Sequence, residues 1–317
     1  MLIRNMFMLN KFKTQTRFLK HWIVFSALFS TVFATAQTTE NSIFYEVTGK
    51  KLKTPSYLFG TFHLLGKSFV DSIPELKQKL LKCKHMAGEV DLSDTTMMVK
   101  MLGASMLDAG TTLDQLIPKA QYDSLDAYVK KNIGFSIDLF KALKPMAIST
   151  TITAMTQKKL YPGNDDDIKD GSMDSYLQKL ARSAGKQVHG LESIDSQVKI
   201  LFNDFSLERQ TEMLLEMMRE EDEGAEKMSQ MNVAYRQAKL IELESLMYDS
   251  GDFKEEETKI LLDNRNINWM KNIPALMKDG GLFLAAGALH LSGTNGLVNL
   301  LRKEGYTVKP ISLSLKP

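Results

Sequence analysis

Two matched elements carry residues that could do chemistry, one near the start of the chain and one near its end. Gly60-Thr61-Phe62-His63 follows the apolar run Tyr57–Phe59, and Gly287-Ala288-Leu289-His290 follows the apolar run 282–286. Strands of an α/β sheet present side chains from their carboxyl ends into a shared crevice, and glycine lets the backbone approach a ligand closely. One such pattern is weak evidence for a functional site, because a histidine that follows a strand is usually a packed or capping residue. Two copies, each continuing as His-Leu-x-Gly, indicate one shared site for a divalent metal.

A carboxylate is expected to complete this site, because two neutral imidazoles leave a divalent cation undercharged. Glu89 is the first candidate, since it ends a strand expected to lie beside the first histidine strand and follows Gly88. Asp91 is the second candidate, on the same face by strand periodicity. The alternative for Glu89 is a solvent-facing acid at a strand end. Glu192, in Gly-Leu-Glu-Ser, is interpreted as an acid that complements the dipole at a helix N-terminus.

Arg265 lies in Asp-Asn-Arg-Asn-Ile-Asn-Trp, a segment dense in hydrogen-bonding side chains. Its guanidinium could stabilise an oxyanion or hold Glu89 by a bidentate pair. The alternative is an ordinary cation on a helix surface. The remaining histidines, His21, His85 and His189, are interpreted as mainly structural.

The elements that must position these residues read as α/β at both ends of the chain. The strand-like runs 43–47 and 57–59 predict a hairpin. Pro74 is predicted to begin an amphipathic helix with Leu76, Leu80 and Leu81. A strand that ends at Glu89 or Asp91 is expected to follow this helix. Residues 282–286 predict a buried strand, 293–303 a helix and 306–311 a closing strand. We therefore expect a central mixed sheet built from N- and C-terminal segments, in an α/β or α+β fold.

The middle of the chain, from about 95 to 280, is predicted to be mainly helical. The Gly/Asp-rich run Pro162–Asp167 predicts a break between helices. The run 187–192 predicts a short strand that returns to the sheet. The acidic stretch 216–226 is interpreted as the solvated face of a helix, because Met213, Leu214, Met217 and Met218 recur at helical spacing. Residues 37–317 then form a single domain with a helical insertion.

Residues 1–36 are typical of a secretory signal. Five basic residues precede an apolar run of about a dozen residues and an Ala-Thr-Ala cleavage site, and the run is well short of the roughly 20 residues that span a bilayer. The alternative is an uncleaved anchor. Cleavage lowers the formal net charge of +2 by five, to −3, so nucleic acid is not an expected partner. The lone Cys83 is interpreted as a core residue, and an exported protein, periplasmic or secreted, is predicted.

Taken together these motifs resemble the TraB/GumN family, which includes the TIKI metalloproteases. The resemblance covers nearly the whole mature chain, and its motifs are the two Gly-x-x-His elements and the segments 89–91, 190–193, 264–266 and 296–308. It implies a hydrolase core in which His63 and His290 bind a metal, with Glu89 and Arg265 as the recurrent acid and arginine. It also implies kinship to the erythromycin esterase-like and ChaN-like folds. Ala288 stands where the family more often has glycine.

The leading prediction is a metal-dependent peptidase. His63, His290 and Glu89 would hold Mn²⁺, Co²⁺ or Zn²⁺, and Arg265 would steady the oxyanion formed from a peptide or protein substrate. Ligand type leaves the metal open. Two alternatives remain: a metal-independent esterase that uses one histidine as general base, and a non-catalytic accessory protein that binds a partner. No stable membrane anchor is expected after signal cleavage.

Overall fold

The protein is built on one six-stranded mixed sheet, seen in a computed structural model that describes residues 41–161, 171–248 and 253–313. All of these residues belong to one unit, Thr39–Pro317. The sheet order is β4-β3-β5-β2-β1-β6. The strands are β1 Phe44–Thr48, β2 Ser56–Thr61, β3 His85–Gly88, β4 Gln187–Gly190, β5 Leu282–Gly287 and β6 Thr307–Pro310.

Five of the six strands run in the same direction, and four of them, β4, β3, β5 and β2, are neighbours that pair in parallel, so their carboxyl ends lie on one edge of the sheet. β5 pairs in parallel with β2 on one side and β3 on the other, and β3 pairs in parallel with β4. β1 is antiparallel to both β2 and β6. Every residue of β2 and β3 is buried, which is typical of parallel strands covered on both faces.

Helices surround the sheet and fill the middle of the chain. Short 3₁₀ turns occupy Ile137–Phe140 and Ala288–His290, and a π turn occupies Lys259–Asp263. The α-helices in the described ranges are α1 Lys67–Asp71, α2 Pro74–Lys82, α3 Met97–Ser105, α4 Leu113–Leu116, α5 Lys119–Ile133, α6 Pro145–Leu160, α7 Met173–Ser183, α8 Ile194–Phe202, α9 Leu207–Arg219, α10 Glu221–Arg236, α11 Leu240–Tyr248, α12 Glu255–Thr258, α13 Asn264–Trp269, α14 Ile273–Lys278 and α15 Leu297–Lys303.

The apolar core is divided between the sheet and the helical middle. The largest cluster joins all the central strands to α2, α7 and α15, with Trp269 and Tyr235 among its largest buried side chains. A second cluster is formed only by helical and loop residues of α4, α5, α6 and α9, including Leu125 and Leu214. The helical middle therefore has a core of its own beside that of the sheet.

Most of the predicted elements are confirmed. The N-terminal hairpin, the helix from Pro74, the mainly helical middle, the strand that returns at 187–190 and the closing α/β segment are all present. The acidic stretch lies on α9 and α10, with Leu214, Met217 and Met218 packed inward. The predicted signal segment, residues 1–36, and the predicted break at 162–167 lie outside the described residues.

Two expectations about packing are wrong. The helical pattern groups Leu81 with Leu76 and Leu80, yet Leu81 is 45% exposed while the other two are buried. The strand that ends before Glu89 is expected beside the first histidine strand. It pairs instead with β5 and β4, because β5, arriving late in the sequence, inserts between β2 and β3.

The lone cysteine and the helix lengths give two further findings. Cys83 is 1% exposed within the core, as predicted, and burial raises the pKa of its thiol to about 12, so it is not a reactive thiolate. Among residues 41–161, 171–248 and 253–313, no helix is both long and apolar enough to cross a membrane.

Gly60 marks the closest approach between the two histidine-bearing segments. A Cβ atom at this position would lie 2.8 Å from the Cα of Ala288 and 2.9 Å from Cδ1 of Leu291. The carbonyl of Gly60 also accepts a hydrogen bond from the Tyr235 hydroxyl at 2.8 Å, which fixes the strand in place. Glycine is required here because backbone atoms of the second motif occupy the space of a side chain.

Gly60→Ala should therefore lower the free energy of unfolding by about 1–3 kcal/mol, since the Ala288 backbone cannot move aside without displacing the 3₁₀ turn. Gly103→Ala is the matched control. Gly103 lies within α3, and a Cβ added there would meet no atom within 4 Å, so alanine should stabilise the protein by up to about 1 kcal/mol. Urea unfolding of both variants measures the difference, and equal midpoints would contradict the close-approach argument.

Candidate functional site

Each of the four parallel strands is followed by a polar residue at the same edge of the sheet. His63 follows β2, Glu89 follows β3, Glu192 follows β4 and His290 follows β5. This is the edge at which α/β sheets generally bind ligands. The structure thus brings together His63, Glu89 and His290, and α13 adds Arg265.

His290 is buried, with 4% of its side chain exposed, and its ring orientation is fixed. Asn266 donates its amide N–H groups to the carbonyls of His290 and Asn295, at 3.2 and 2.9 Å, so its Oδ1 accepts from Nδ1 of His290 at 2.7 Å. The lone pair is therefore on Nε2, which accepts a hydrogen bond from Nη1 of Arg265 at 3.0 Å. Burial lowers the pKa of His290 to about 3, so the ring is neutral.

His63 has the opposite environment. Its side chain is 61% exposed, and its Nδ1 donates to Oδ2 of Asp174 at 2.8 Å. The other carboxylate oxygen of Asp174 accepts from the Thr61 hydroxyl at 2.7 Å, which orients the acid. The Asp174 charge raises the pKa of His63 to about 9 against the opposing effect of desolvation. In both histidines Nδ1 is tied to an oxygen, and Nε2 faces the site.

Glu89 lies between the two histidines. Its Oε1 is 3.9 Å from Nε2 of His63 and 3.8 Å from Nε2 of His290, and it accepts the Gly287 amide at 2.8 Å. Its Oε2 accepts from Arg265 at 2.5 Å. Burial alone would raise the pKa of Glu89, but the charges of His63 and Arg265 and the hydrogen bond from the Gly287 amide outweigh it and hold the pKa below its ordinary value. Glu89 is therefore a carboxylate at neutral pH.

Arg265 is a buried member of the site and not a surface cation. It forms its bidentate pair with Glu192, through Nε at 3.1 Å and Nη2 at 2.6 Å, and only a single hydrogen bond with Glu89. Glu192 also accepts from the Trp269 indole at 3.3 Å. The interpretation of Glu192 as a helix-dipole acid is therefore wrong. Its carboxylate turns inward because a buried guanidinium needs counter-charges.

The π turn at Lys259–Asp263 sets the direction of Arg265. It directly precedes α13, and the carbonyl of Leu261 within it accepts from Nη1 of Arg265 at 3.0 Å. An i→i+5 turn shifts the helix register by one residue relative to an α-turn, and such turns are frequent at functional sites. This local change leaves a backbone carbonyl for Arg265 to engage.

The remaining candidates lie elsewhere. Asp91 is not on the face of Glu89, because β3 ends at Gly88 and Asp91 bonds to Ser93 and Arg182 instead. His85 and His189, on the neighbouring strands β3 and β4, form a hydrogen-bonded pair from Nδ1 to Nε2 at 2.9 Å. They make no contact with the site in the described structure, which agrees with a structural role.

The donor set can be tested for a divalent metal. No group of three His, Cys, Asp or Glu side chains in the described ranges is already arranged to hold an ion, and Arg265 donates to the lone pair of His290. Two ligands of one ion, each about 2.1 Å from it, can be up to about 4.2 Å apart, and both histidine-to-Glu89 separations fall below this limit. Metal-binding histidines typically donate their other ring N–H to an oxygen, as both do here. The residues therefore fit the metal, provided that Arg265 releases His290.

Gly287 leaves open space between the candidate metal ligands. A Cβ atom there would lie 3.3 Å from Oε1 of Glu89, 3.7 Å from Nε2 of His63 and 3.7 Å from Cδ2 of His290. The missing side chain thus leaves a gap that all three candidate ligands border.

Three residues that complete the site could not be identified from the sequence. Asp174 on α7 and Asn266 on α13 orient the histidines, and Gln197 on α8 donates to Glu89 at 3.3 Å. Only Asn266 carried a signal, since it stands beside Arg265 in the polar segment. Asp174 and Gln197 lie on ordinary amphipathic helices that give no indication of where their side chains point.

The fold and site define an α/β protein with a two-histidine, carboxylate and arginine constellation at the carboxyl edge of a parallel sheet. The chain belongs to the TraB/PrgY/gumN family, whose model matches residues 43–310. That match includes every site residue named above.

Curated relatives are distant and longer than this chain. It is 22% identical to the "Metalloprotease TIKI homolog" of Nematostella vectensis, over 87% of this chain and 68% of the relative. It is 25% identical to "Metalloprotease TIKI1" of Homo sapiens and 23% to "Metalloprotease TIKI2" of Danio rerio, over 86% of this chain and 62% of each relative. Their names suggest a hydrolase. The chain spans less than two thirds of the human and zebrafish proteins.

Asp174→Asn should lower the pKa of His63 from about 9 toward its ordinary value of 6.5, because the carboxylate charge that raises it most is removed. Asparagine keeps an oxygen for the Thr61 hydroxyl. NMR titration of the imidazole in metal-free protein measures the shift. Asp195→Asn, at an exposed acid paired with Lys100, is the control and should leave His63 unchanged. An unaltered His63 titration in Asp174→Asn would show that this carboxylate does not control the ring.

Proposed function

We propose that this protein is an exported, metal-dependent hydrolase that cleaves peptide bonds. The observation that carries the proposal is the convergence of Nε2 of His63 and Nε2 of His290 on one oxygen of Glu89, at 3.9 and 3.8 Å, around the gap at Gly287. His63, His290 and Glu89 would hold the ion. The metalloprotease names of the distant relatives support the same class of reaction.

The bound ion supplies Lewis acidity toward a scissile carbonyl, and Mn²⁺, Co²⁺ and Zn²⁺ all suit this donor set. The protein's own contribution is orientation and charge. Asp174 and Asn266 hold the two imidazoles with Nε2 directed inward, and Gly287 leaves room for the reacting group. Arg265, once released from His290, keeps its bidentate pair with Glu192 and can donate N–H bonds to a developing oxyanion.

The metal-independent esterase has one observation in its favour, which is that Arg265 donates to His290 at 3.0 Å and so occupies its lone pair. The same hydrogen bond also prevents His290 from acting as the general base. His63 is the other possible base, and its pair with Asp174 favours the protonated ring, so a metal ion at Nε2 would have to displace that proton. The convergence of both histidines on one oxygen of Glu89 favours the metal-dependent hydrolase. The proposed substrate is a peptide or protein, in the periplasm or outside the cell.

Wild-type protein should bind one divalent ion per chain, and both His63→Ala and His290→Ala should lose it, because each removes one of three ligands. Elemental analysis and calorimetry with Mn²⁺, Co²⁺ and Zn²⁺ measure the binding. His189→Ala removes a histidine outside the site and should keep full binding. Absence of binding in the wild type, or its retention in both site variants, would overturn the metal-dependent proposal. Hydrolysis that survives exhaustive chelation would point to the metal-independent, esterase-like hydrolase instead.

Arg265→Lys should lower kcat for peptide hydrolysis by about 10²–10³-fold while the metal stoichiometry stays at one, because lysine cannot reproduce the fork that faces the oxyanion. Lysine keeps a positive charge beside Glu89 and Glu192, so the fold is retained. Arg182→Lys, at the part-buried pair with Asp91, is the matched control and should leave kcat unchanged. A normal kcat in Arg265→Lys would restrict Arg265 to a structural role.

A further inference from the structure

A cavity of about 400 Å³ opens beside Arg265, between α8 and the segment formed by the π turn and α13. Its volume lies in the range of about 300–1,000 Å³ that is typical of ligand sites. Arg265 lines it and also contacts Glu89 and His290, so this guanidinium group is shared by the cavity and the candidate site. The walls include Ser196, Ile200, Ile260, Asn264, Asn268 and Trp269.

The charged groups of the lining are paired with one another. Glu192 pairs with Arg265, and Lys199 pairs with Asp204 at the end of α8. A charged group entering the cavity would meet no unpaired counter-charge in this lining. The lining therefore offers a charged ligand no ion pair that an uncharged ligand would lack.

The uncharged walls combine apolar surface with amides. Ile260 and, to a lesser extent, Ile200 offer apolar contact, while Asn264 and Asn268 lie one helical turn apart on α13. Asn268 accepts from Lys271 at 2.8 Å through Oδ1, which leaves its amide N–H groups available. An amide both donates and accepts hydrogen bonds. This lining fits a large apolar body that ends in an uncharged polar group, or one that is wholly apolar.

We propose that this cavity binds one large uncharged side chain of a polypeptide, such as tyrosine, glutamine or methionine, beside the bond that is cleaved. The link to a cleaved bond rests on the proposed hydrolase function, whereas the binding preference depends only on the cavity. A side chain seated there places its adjoining peptide group at Arg265, next to Glu89 and the gap at Gly287.

The test measures binding and cleavage separately. Binding of fluorescent peptide libraries is measured with the full chain carrying His290→Ala. The libraries differ at one fixed position, which holds a large uncharged residue, an acidic residue or a basic residue. We expect at least tenfold tighter binding of the uncharged library. Adding Ser196→Trp fills the cavity from its rim and should abolish that preference. Ser124→Trp, at an exposed position of α5, should not change it.

Removing one charge of the Lys199–Asp204 pair at a time gives a second test of the same preference. Asp204→Asn leaves Lys199 without its partner and should improve binding of the acidic library about fivefold. Lys199→Met leaves Asp204 unpaired and should do the same for the basic library. These two variants keep every residue of the proposed metal site, so their His290-containing forms should still bind one divalent ion per chain.

Failure of the inference differs from failure of the hydrolase proposal. Selective binding that Ser196→Trp abolishes, without cleavage by wild-type protein, would support the cavity assignment and overturn the hydrolase. Cleavage with no preference among the libraries, and no effect of Ser196→Trp, would overturn the cavity assignment alone. No binding of any library would also overturn it.

Discussion

Glu89 and Glu192 are both buried at the carboxyl edge of the sheet, and two adjacent buried carboxylates need a counter-charge to remain ionised. Arg265 provides it, with hydrogen bonds of 2.5 Å to Glu89 and 2.6 Å to Glu192. The positions of the other groups depend on this triad. Glu89 is kept anionic between the histidines, and Arg265 also donates a hydrogen bond to Nε2 of His290 at 3.0 Å.

The two histidines share a motif but differ in chemistry, and the difference comes from their partners. His63 is exposed and bonded to the carboxylate of Asp174, which favours its charged form. His290 is buried and bonded to the neutral amide of Asn266, which leaves burial to favour the uncharged ring. The partner on Nδ1 and the degree of burial decide the protonation of each ring, since the surrounding Gly-x-x-His pattern is the same.

The sequence allowed the convergence of His63, Glu89 and His290 to be predicted, because parallel strand ends meet at one edge and short strands with glycine ends are visible as local patterns. Arg265, on a helix, was a candidate only through its polar segment, with a surface cation as the alternative. The strand order could not be predicted in the same way. β5 lies between β2 and β3 although it is separated from them by about two hundred residues, and no local pattern encodes that pairing. Asp174 was missed for a related reason, since the direction of a polar side chain on an amphipathic helix depends on what packs against that helix.

The site also joins the two parts of the fold. The sheet supplies His63, Glu89 and His290, but the groups that fix or neutralise them come from helices of the middle region: Asp174 from α7, Gln197 from α8, and Arg265 with Asn266 from α13. The sheet alone would leave Glu89 as a buried carboxylate without its guanidinium and His63 without an orienting acid. Helices of the middle region are therefore part of the candidate site, and the cavity between α8 and α13 lies beside it. In this arrangement the sheet carries the candidate metal ligands, and the helices carry the side chains that orient and neutralise them.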